Sequence, residues 1–296
     1  MTTTSARAAT TDGQPMLRVA VPNKGSLAEP ASQMLREAGY SQRSDSRELV
    51  LQDPSNATEF FFLRPRDIAT YVGDGQLDVG ITGRDLLLDS GAAAGEILPL
   101  GFGDSTFRFA VRPGAATDER GLNGLRIATS YPDLVAAHLG RLGVSATVVR
   151  LDGAVEMAVR LGVADVIADV VSTGTTMRQA GLAVIGEPIL HSEAVLIQGD
   201  HTGPSPAVDQ LVRRINGVIV ARGYVIFDYD VAISLLEPAC ALTPGIESPT
   251  VSPLREEGWV AVRALVPRTD TNRVMDDLYE LGARGILVTD IHACRL

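Results

Sequence analysis

Residues 153–182 read GAVEMAVRLGVADVIADVVSTGTTMRQAGL, and the order of parts in this stretch decides the fold. An amphipathic helix comes first. A turn containing Gly162, an apolar strand opening at Asp165, a loop with Gly174 and a second helix follow. Residues 66–91, RDIATYVGDGQLDVGITGRDLLLDSG, repeat that order, with the strand opening at Asp78 and the loop carrying Gly83. The chain makes one αβ arrangement twice. Helices alternating with short apolar strands imply parallel sheets covered on both faces, and two such lobes leave a cleft between the carboxyl ends of their strands.

Working outward, residues 17–40 read as a strand, a turn at Pro22 to Gly25 and a helix, while residues 48–53 and 59–65 read as strands. From about residue 223 the grammar changes. YVIFDYDV, AISLLEPAC, SPTVSPL, WVAVRALVP, TNRVMDDLYELGA and GILVTDIHACRL give the order βαββαβ, the ferredoxin-like plan. The expected division is a disordered tail over 1–15, lobe I over 16–105 and 198–222, lobe II over 106–197, and a small C-terminal domain over 223–296.

The formal net charge of −10 argues against a broad nucleic-acid or anionic-membrane surface, so any phosphate site must be local and made by loops. The only cysteines are Cys240 and Cys294, which form no CxxC; a reducing cytoplasm fits best. No apolar run reaches the ~18 residues that span a bilayer. The four histidines lack metal-ligand spacing, and no G-x-S-x-G, G-x-G-x-x-G or P-loop signature occurs.

Small residues with free N–H groups and short hydroxyls, such as DVVSTGTT (169–176), can close on phosphate oxygens, although a plain helix-capping turn has the same composition. Lys24 is the only lysine among 26 lysine and arginine residues, and it follows the first strand in PNKG, where a point charge could meet phosphate. Arg64 directly follows the apolar FFFL run and is expected in the cleft, whereas Arg66 and Arg84 are expected at the surface. Asp169 sits in an apolar run and needs partners or a ligand to offset its desolvation. Glu156 lies four residues before Arg160, spacing that also suits an exposed helical ion pair.

Residues Glu156 to Met177 resemble the signature of the ATP phosphoribosyltransferase family. Glu156, Gly162, Ala164, Ile167, Asp169, Thr173, Gly174, Thr176 and Met177 fill its places. The likeness continues through RVAVPNKGSL, FFLRPRDIATYVGDG, GITGRDL, ATSYP and LTPGIESPT, and the C-terminal module looks like that of the long form.

The resemblance implies an α/β fold with a two-lobed, periplasmic-binding-protein-like catalytic body and a ferredoxin-like regulatory domain. It implies transfer of phosphoribosyl from phosphoribosyl pyrophosphate (PRPP) to an adenine ring nitrogen of ATP, with Mg²⁺ present. By similarity, Ser172, Thr173, Gly174, Thr175 and Thr176 hold the 5-phosphate of PRPP, while Glu156 and Asp169 face the ribose. Lys24, Gly25 and Arg64 approach the polyphosphates. L-histidine, the inhibitor, is expected at Asp230, Thr250 and Leu265, in a homo-oligomer between dimer and hexamer. Two rival readings are a type I phosphoribosyltransferase, against which Val170 and Val171 after Asp169 count, and a two-lobed solute-binding protein.

Overall fold

The structure is a computed structural model that describes residues 16–171 and 174–295. The expected tail over 1–15 and the candidate residues Ser172 and Thr173 lie outside the described residues. The described chain divides into two compact units, residues 16–36 with 40–209 and residues 37–39 with 210–295.

Lobe I begins with β1 (Leu17–Pro22), α1 (Ala28–Glu37), β2 (Val50–Asp53), β3 (Thr58–Leu63), α2 (Pro65–Gly73), β4 (Val79–Gly83), α3 (Arg84–Ser90) and β5 (Ala94–Pro99). Lobe II follows with β6 (Ser105–Val111), β7 (Arg126–Thr129), α4 (Pro132–Leu142), β8 (Thr147–Arg150), α5 (Met157–Arg160), β9 (Val166–Val171), α6 (Thr175–Gln179) and β10 (Ala183–Ser192). The chain then returns to lobe I as β11 (Ala194–Gly199) and continues as α7 (Pro206–Gly223).

The first sheet has the order β2-β3-β1-β4-β11-β5 and the second β10-β6-β9-β7-β8. In each, a parallel trio is centred on its middle strand, with β3 and β4 flanking β1, and β8 and β9 flanking β7. Each trio is then extended by a strand delivered from the other lobe: β11 runs antiparallel to β4, and β6 antiparallel to β9. The duplication read in the sequence is therefore a duplication of sheet topology.

Burial follows from that arrangement. Strand β4 is buried along its whole length, as expected of a strand covered on both faces, whereas β3 alternates, burying Thr58, Phe60 and Phe62. Ile68 and Val72 of α2 pack with Ala20, Val195 and Ile197 in lobe I; Phe107, Phe109, Ile127, Val135 and Val166 form the corresponding core in lobe II.

Two local expectations are corrected. A boundary at 197/198 would cut β11, whose residues 194–199 pair with β4 and β5 and so belong with lobe I. The amphipathic helix expected before Gly162 is a single turn, α5, because Ala154 at φ 47° and Gly162 at φ 73° hold left-handed backbone on either side of it.

The second unit contains β12 (Tyr224–Ala232), α8 (Leu236–Leu242), β13 (Thr250–Pro253), β14 (Trp259–Pro267), α9 (Thr271–Leu281) and β15 (Arg284–Asp290). Its sheet order, β13-β14-β12-β15 with antiparallel neighbours, is that of a ferredoxin-like βαββαβ domain. Alternate residues of β12, Val225, Phe227, Tyr229 and Val231, enter a core shared with Val274 and Leu278 of α9. The buried hydroxyls of Tyr229 and Thr243 satisfy one another at 2.7 Å. Among the described residues, no helix is long and apolar enough to cross a membrane.

The close approach of α2 to β4 depends on Gly80. A Cβ there would lie 2.5 Å from Cγ2 of buried Ile68 and 3.1 Å from Cβ of Ala20. Gly80→Ala is expected to destabilise the fold by ~1–3 kcal/mol through overpacking, read as a lowered denaturation midpoint. An unchanged midpoint would show that α2 can move off the sheet freely.

Candidate active site

The lobes meet where their parallel strands end. Lobe I's strand β4 runs into α3, which carries Asp85 and Asp89, each only 7% exposed. Asp85 Oδ1 accepts a hydrogen bond from Ser192 Oγ at 2.9 Å, while that hydroxyl oxygen accepts from the Asp85 N–H at 3.1 Å. Asp89 Oδ2 accepts from Arg66 Nη1 at 3.1 Å, and Asp89 Oδ1 accepts from the backbone N–H groups of Asp133 and Leu134 at 3.0 and 3.1 Å.

The guanidinium carbon of Arg66 lies 4.7 Å from the ring centroid of Tyr131, whose edge meets Phe107 at a centroid distance of 5.0 Å. The Tyr131 hydroxyl bonds to Asp85, and burial first, then that neighbouring charge, push its pKa well up. Arg66 is thus no bare surface residue.

Nor is Arg84. Its Nε and Nη2 reach both oxygens of Glu96 at 2.8 Å, and Nη2 also donates to Glu193 at 3.1 Å. The hydrogen bonds to Glu96, followed by those to Glu193, raise its pKa. Glu193 stands between β10 and β11, and its Oε2 accepts from the Gly101 N–H, so this cluster ties together both chain crossings between the lobes.

In lobe II, Asp169 is half-buried near the carboxyl end of β9. Burial, then the negative charges of Glu156 and Asp85, raise its pKa; a 2.8 Å hydrogen bond from the Val170 N–H and the charge of Arg66 oppose the rise. Glu156 is half-buried immediately before α5, and among the described residues it forms no ion pair with Arg160. Gly174, at φ 69°, requires the left-handed backbone that glycine permits and opens α6; Thr175 and Thr176 follow it, both exposed. The structure therefore groups Glu156, Asp169 and Gly174 to Thr176 at one end of the second sheet. Of these residues, Asp169 lies close enough to lobe I for the charges of Asp85 and Arg66 to act on it.

Lys24, Gly25 and Arg64 form a second group. Pro22 of β1 and Leu63 of β3 are register partners, and the Asn23 N–H donates to the Leu63 carbonyl at 2.7 Å, so PNKG and Arg64 leave neighbouring strand ends. Lys24, Gly25 and Arg64 are all exposed. Arg43 covers the Phe62 ring at 4.2 Å and donates to the Asn23 carbonyl at 3.3 Å, bracing the loop.

In the second unit, Asp230, Thr250 and Leu265 occupy the sheet face opposite α8 and α9, pairing with Ala261, Arg263 and Ile226 respectively. They share a face without converging: Ala261 and Leu265 stand four residues apart along β14, a span of ~13 Å. A cavity of about 340 Å³ opens beside Leu265, Tyr224 and Arg273, and neither Asp230 nor Thr250 lines it.

Sequence reading missed Asp85, Asp89, Tyr131 and Ser192. The available signal was the pair of aspartates four residues apart in RDLLLDS, which share a helix face. Among the described residues, no group of three or more His, Cys, Asp and Glu side chains is arranged to hold a metal ion.

Comparison with known proteins bears on the family and the fold. The family model described as "HisG: ATP phosphoribosyltransferase" matches residues 64–217, and that of the HisG C-terminal domain matches residues 221–293. The chain is 65% identical over 285 residues to an ATP phosphoribosyltransferase of Streptomyces coelicolor, covering 95% of this chain and 100% of that protein. It is 56% identical over 283 residues to an ATP phosphoribosyltransferase of Mycobacterium tuberculosis, with the same coverage. The solved ATP phosphoribosyl transferase (HisG:HisZ) complex of Thermotoga maritima shares the fold at TM-score 0.60 and 24% identity, over 69% of this chain and 98% of that one. With the duplicated lobes and a ferredoxin-like second unit in place, and with both family models and near-full-length relatives matched, the chain belongs to the ATP phosphoribosyltransferase family, in its long form.

Proposed function

We propose that this chain transfers the phosphoribosyl group of PRPP to an adenine ring nitrogen of ATP, releasing pyrophosphate, as the histidine-inhibited committed step of L-histidine biosynthesis. The observation that carries the reading is Asp169, half-buried beside the charge of Glu156 and directly before the Gly174 loop. A carboxylate kept under like charge favours a partner that brings positive charge or hydroxyl donors. The ribose of PRPP brings both as its anomeric carbon becomes cationic.

A lone pair on the adenine nitrogen forms the new bond to the anomeric carbon while the bond to pyrophosphate breaks, its electron pair leaving with pyrophosphate. A neutral ring nitrogen needs no strong base, so positioning and charge stabilisation carry the acceleration. Gly174, Thr175 and Thr176 begin a helix whose first N–H groups lack intrahelical acceptors, and with Ser172 and Thr173 they hold the 5-phosphate. Asp169 and Glu156 face the ribose hydroxyls. Lys24, Gly25 and Arg64 meet the polyphosphates from lobe I.

The oxygen-only donors Asp169 and Glu156 suit Mg²⁺, a hard cation commonly held by one or two carboxylates together with substrate phosphates. When bound it would neutralise charge on the departing pyrophosphate. In the second unit, Asp230 and Thr250 recognise the polar groups of L-histidine and Leu265 its side chain. Because these residues are spread over one face, the effector site is completed in a cytoplasmic homo-oligomer between dimer and hexamer.

Pyrophosphate release is expected to require ATP and PRPP together; release with either alone, or from neither mixture, rejects the reading, and binding without turnover would favour a solute-binding role. Asp169→Asn should lower turnover by ~100-fold or more. The same substitution should stabilise the fold. The folded pKa of Asp169 lies above the unfolded value of 3.8, so the folded state binds the proton more tightly. Stability is then lost as pH rises from 3.8 through the folded pKa. A lower melting temperature for Asp169→Asn at pH 7, or parental turnover, contradicts the assignment.

For the second unit, Asp230→Ala should raise the L-histidine concentration needed for half-inhibition by ~5-fold or more while uninhibited turnover stays within twofold of the parent. Unchanged inhibition would remove Asp230 from the effector site.

A further inference from the structure

We infer that Asp89 and Arg66 form a positioning link that couples the two lobes and holds Tyr131 in place beside the carboxylates of the reaction site. Asp89 belongs to α3 of lobe I, yet both donors to its Oδ1, the Asp133 and Leu134 N–H groups, lie in the first turn of α4 in lobe II. Its other oxygen accepts from Arg66, which precedes it by 23 residues and covers the Tyr131 ring. Tyr131, Asp133 and Leu134 are consecutive parts of one helix start, so one carboxylate and one guanidinium fix both the backbone and the ring of that turn. The Tyr131 N–H donates to Thr129 Oγ1 at 3.0 Å, which ties the turn to the end of β7. The Tyr131 hydroxyl in turn meets Asp85, one helical turn before Asp89 on the same face of α3.

An ordinary cap comes from the residue next to its helix. Asp89 instead caps α4 from 44 and 45 residues away, across the lobe boundary. Swinging lobe II away from lobe I would strip donors from a carboxylate that is 7% exposed, leaving buried charge unmatched, which is strongly unfavourable. The link therefore selects one mutual orientation of the lobes. Under the proposed function, on which this inference rests, that orientation sets the ribose-facing residues of lobe II against the polyphosphate-facing residues of lobe I. Small misplacements of such groups cost large factors in rate.

Neither residue of the link is required to touch a substrate, and this defines the test. In the full-length protein, Asp89→Asn and Arg66→Gln should each lower kcat by about tenfold or more, with KM for ATP and PRPP within about threefold of the parent. The double variant should be no slower than the slower single variant, because both changes break one link. Arg66→Lys, which keeps the charge but loses the flat face over Tyr131, should fall between parent and Arg66→Gln. In Asp89→Ala, amide exchange at Asp133 and Leu134 should accelerate by about tenfold or more, while exchange in the buried strand β4, residues 79–83, stays parental and certifies folding of the unit that carries the link.

Multiplicative losses in the double variant, or kcat losses that vanish once corrected for the folded fraction, overturn the proposal. So does parental kcat with accelerated exchange. These outcomes are separable from failure of the PRPP assignment, which is read from Asp169→Asn and from the dependence of pyrophosphate release on PRPP, while the exchange measurement needs no substrate.

Discussion

A carboxylate shut away from water must be met by donors, and in this chain that requirement joins one lobe to the other. Asp85 and Asp89 sit one helical turn apart on α3, both buried. Asp85 finds its partners in Ser192 and Tyr131, Asp89 in Arg66 and the first amides of α4. Three of these four partnerships reach chain segments that belong to lobe II or to its exit. Arg84, immediately before Asp85, does the same on the solvent side, where Glu96 and Glu193 share its guanidinium. Burial supplies the demand for partners, and the distribution of those partners fixes the lobes.

The double crossing of the chain makes this possible. Since β6 leaves lobe I to enter the second sheet and β11 leaves lobe II to enter the first, each lobe completes its sheet with a strand supplied from the other side. The carboxyl ends of both parallel trios then point toward the crossings, which brings Asp169 near Asp85 of α3 rather than to a remote edge. A glycine at 174, rather than a larger residue, lets the chain adopt left-handed backbone at the start of α6, ahead of Thr175 and Thr176.

The duplicated plan was legible because it is written in local pattern: apolar runs, glycine turns and helical spacing recur within each stretch of about thirty residues. The ferredoxin-like unit was legible for the same reason, and β12 shows it in the strict alternation of Val225, Phe227, Tyr229 and Val231. Arg66 and Arg84 were misread because their partners are far along the chain; Glu193 follows Arg84 by 109 residues, and no periodicity connects them. The single turn of α5 was misread as a longer helix because side-chain spacing cannot report that Ala154 takes left-handed backbone. Asp169 was legible as a residue in need of partners, since an acid in an apolar run is conspicuous, but the contributions of Asp85 and Arg66 to its environment became visible only with the lobes assembled.

The account turns on one claim, that PRPP seats its phosphate on the loop opening α6 and presents its ribose to Asp169 and Glu156. Amide exchange of the full-length protein, followed with and without PRPP alone, tests this most directly because it needs neither turnover nor a variant. The account predicts slowed exchange across residues 174–179 at saturating PRPP, with the ferredoxin-like strands of residues 224–232 unaffected. Slowed exchange confined to the PNKG loop, or none at residues 174–179 in protein that still releases pyrophosphate from ATP and PRPP, would contradict it.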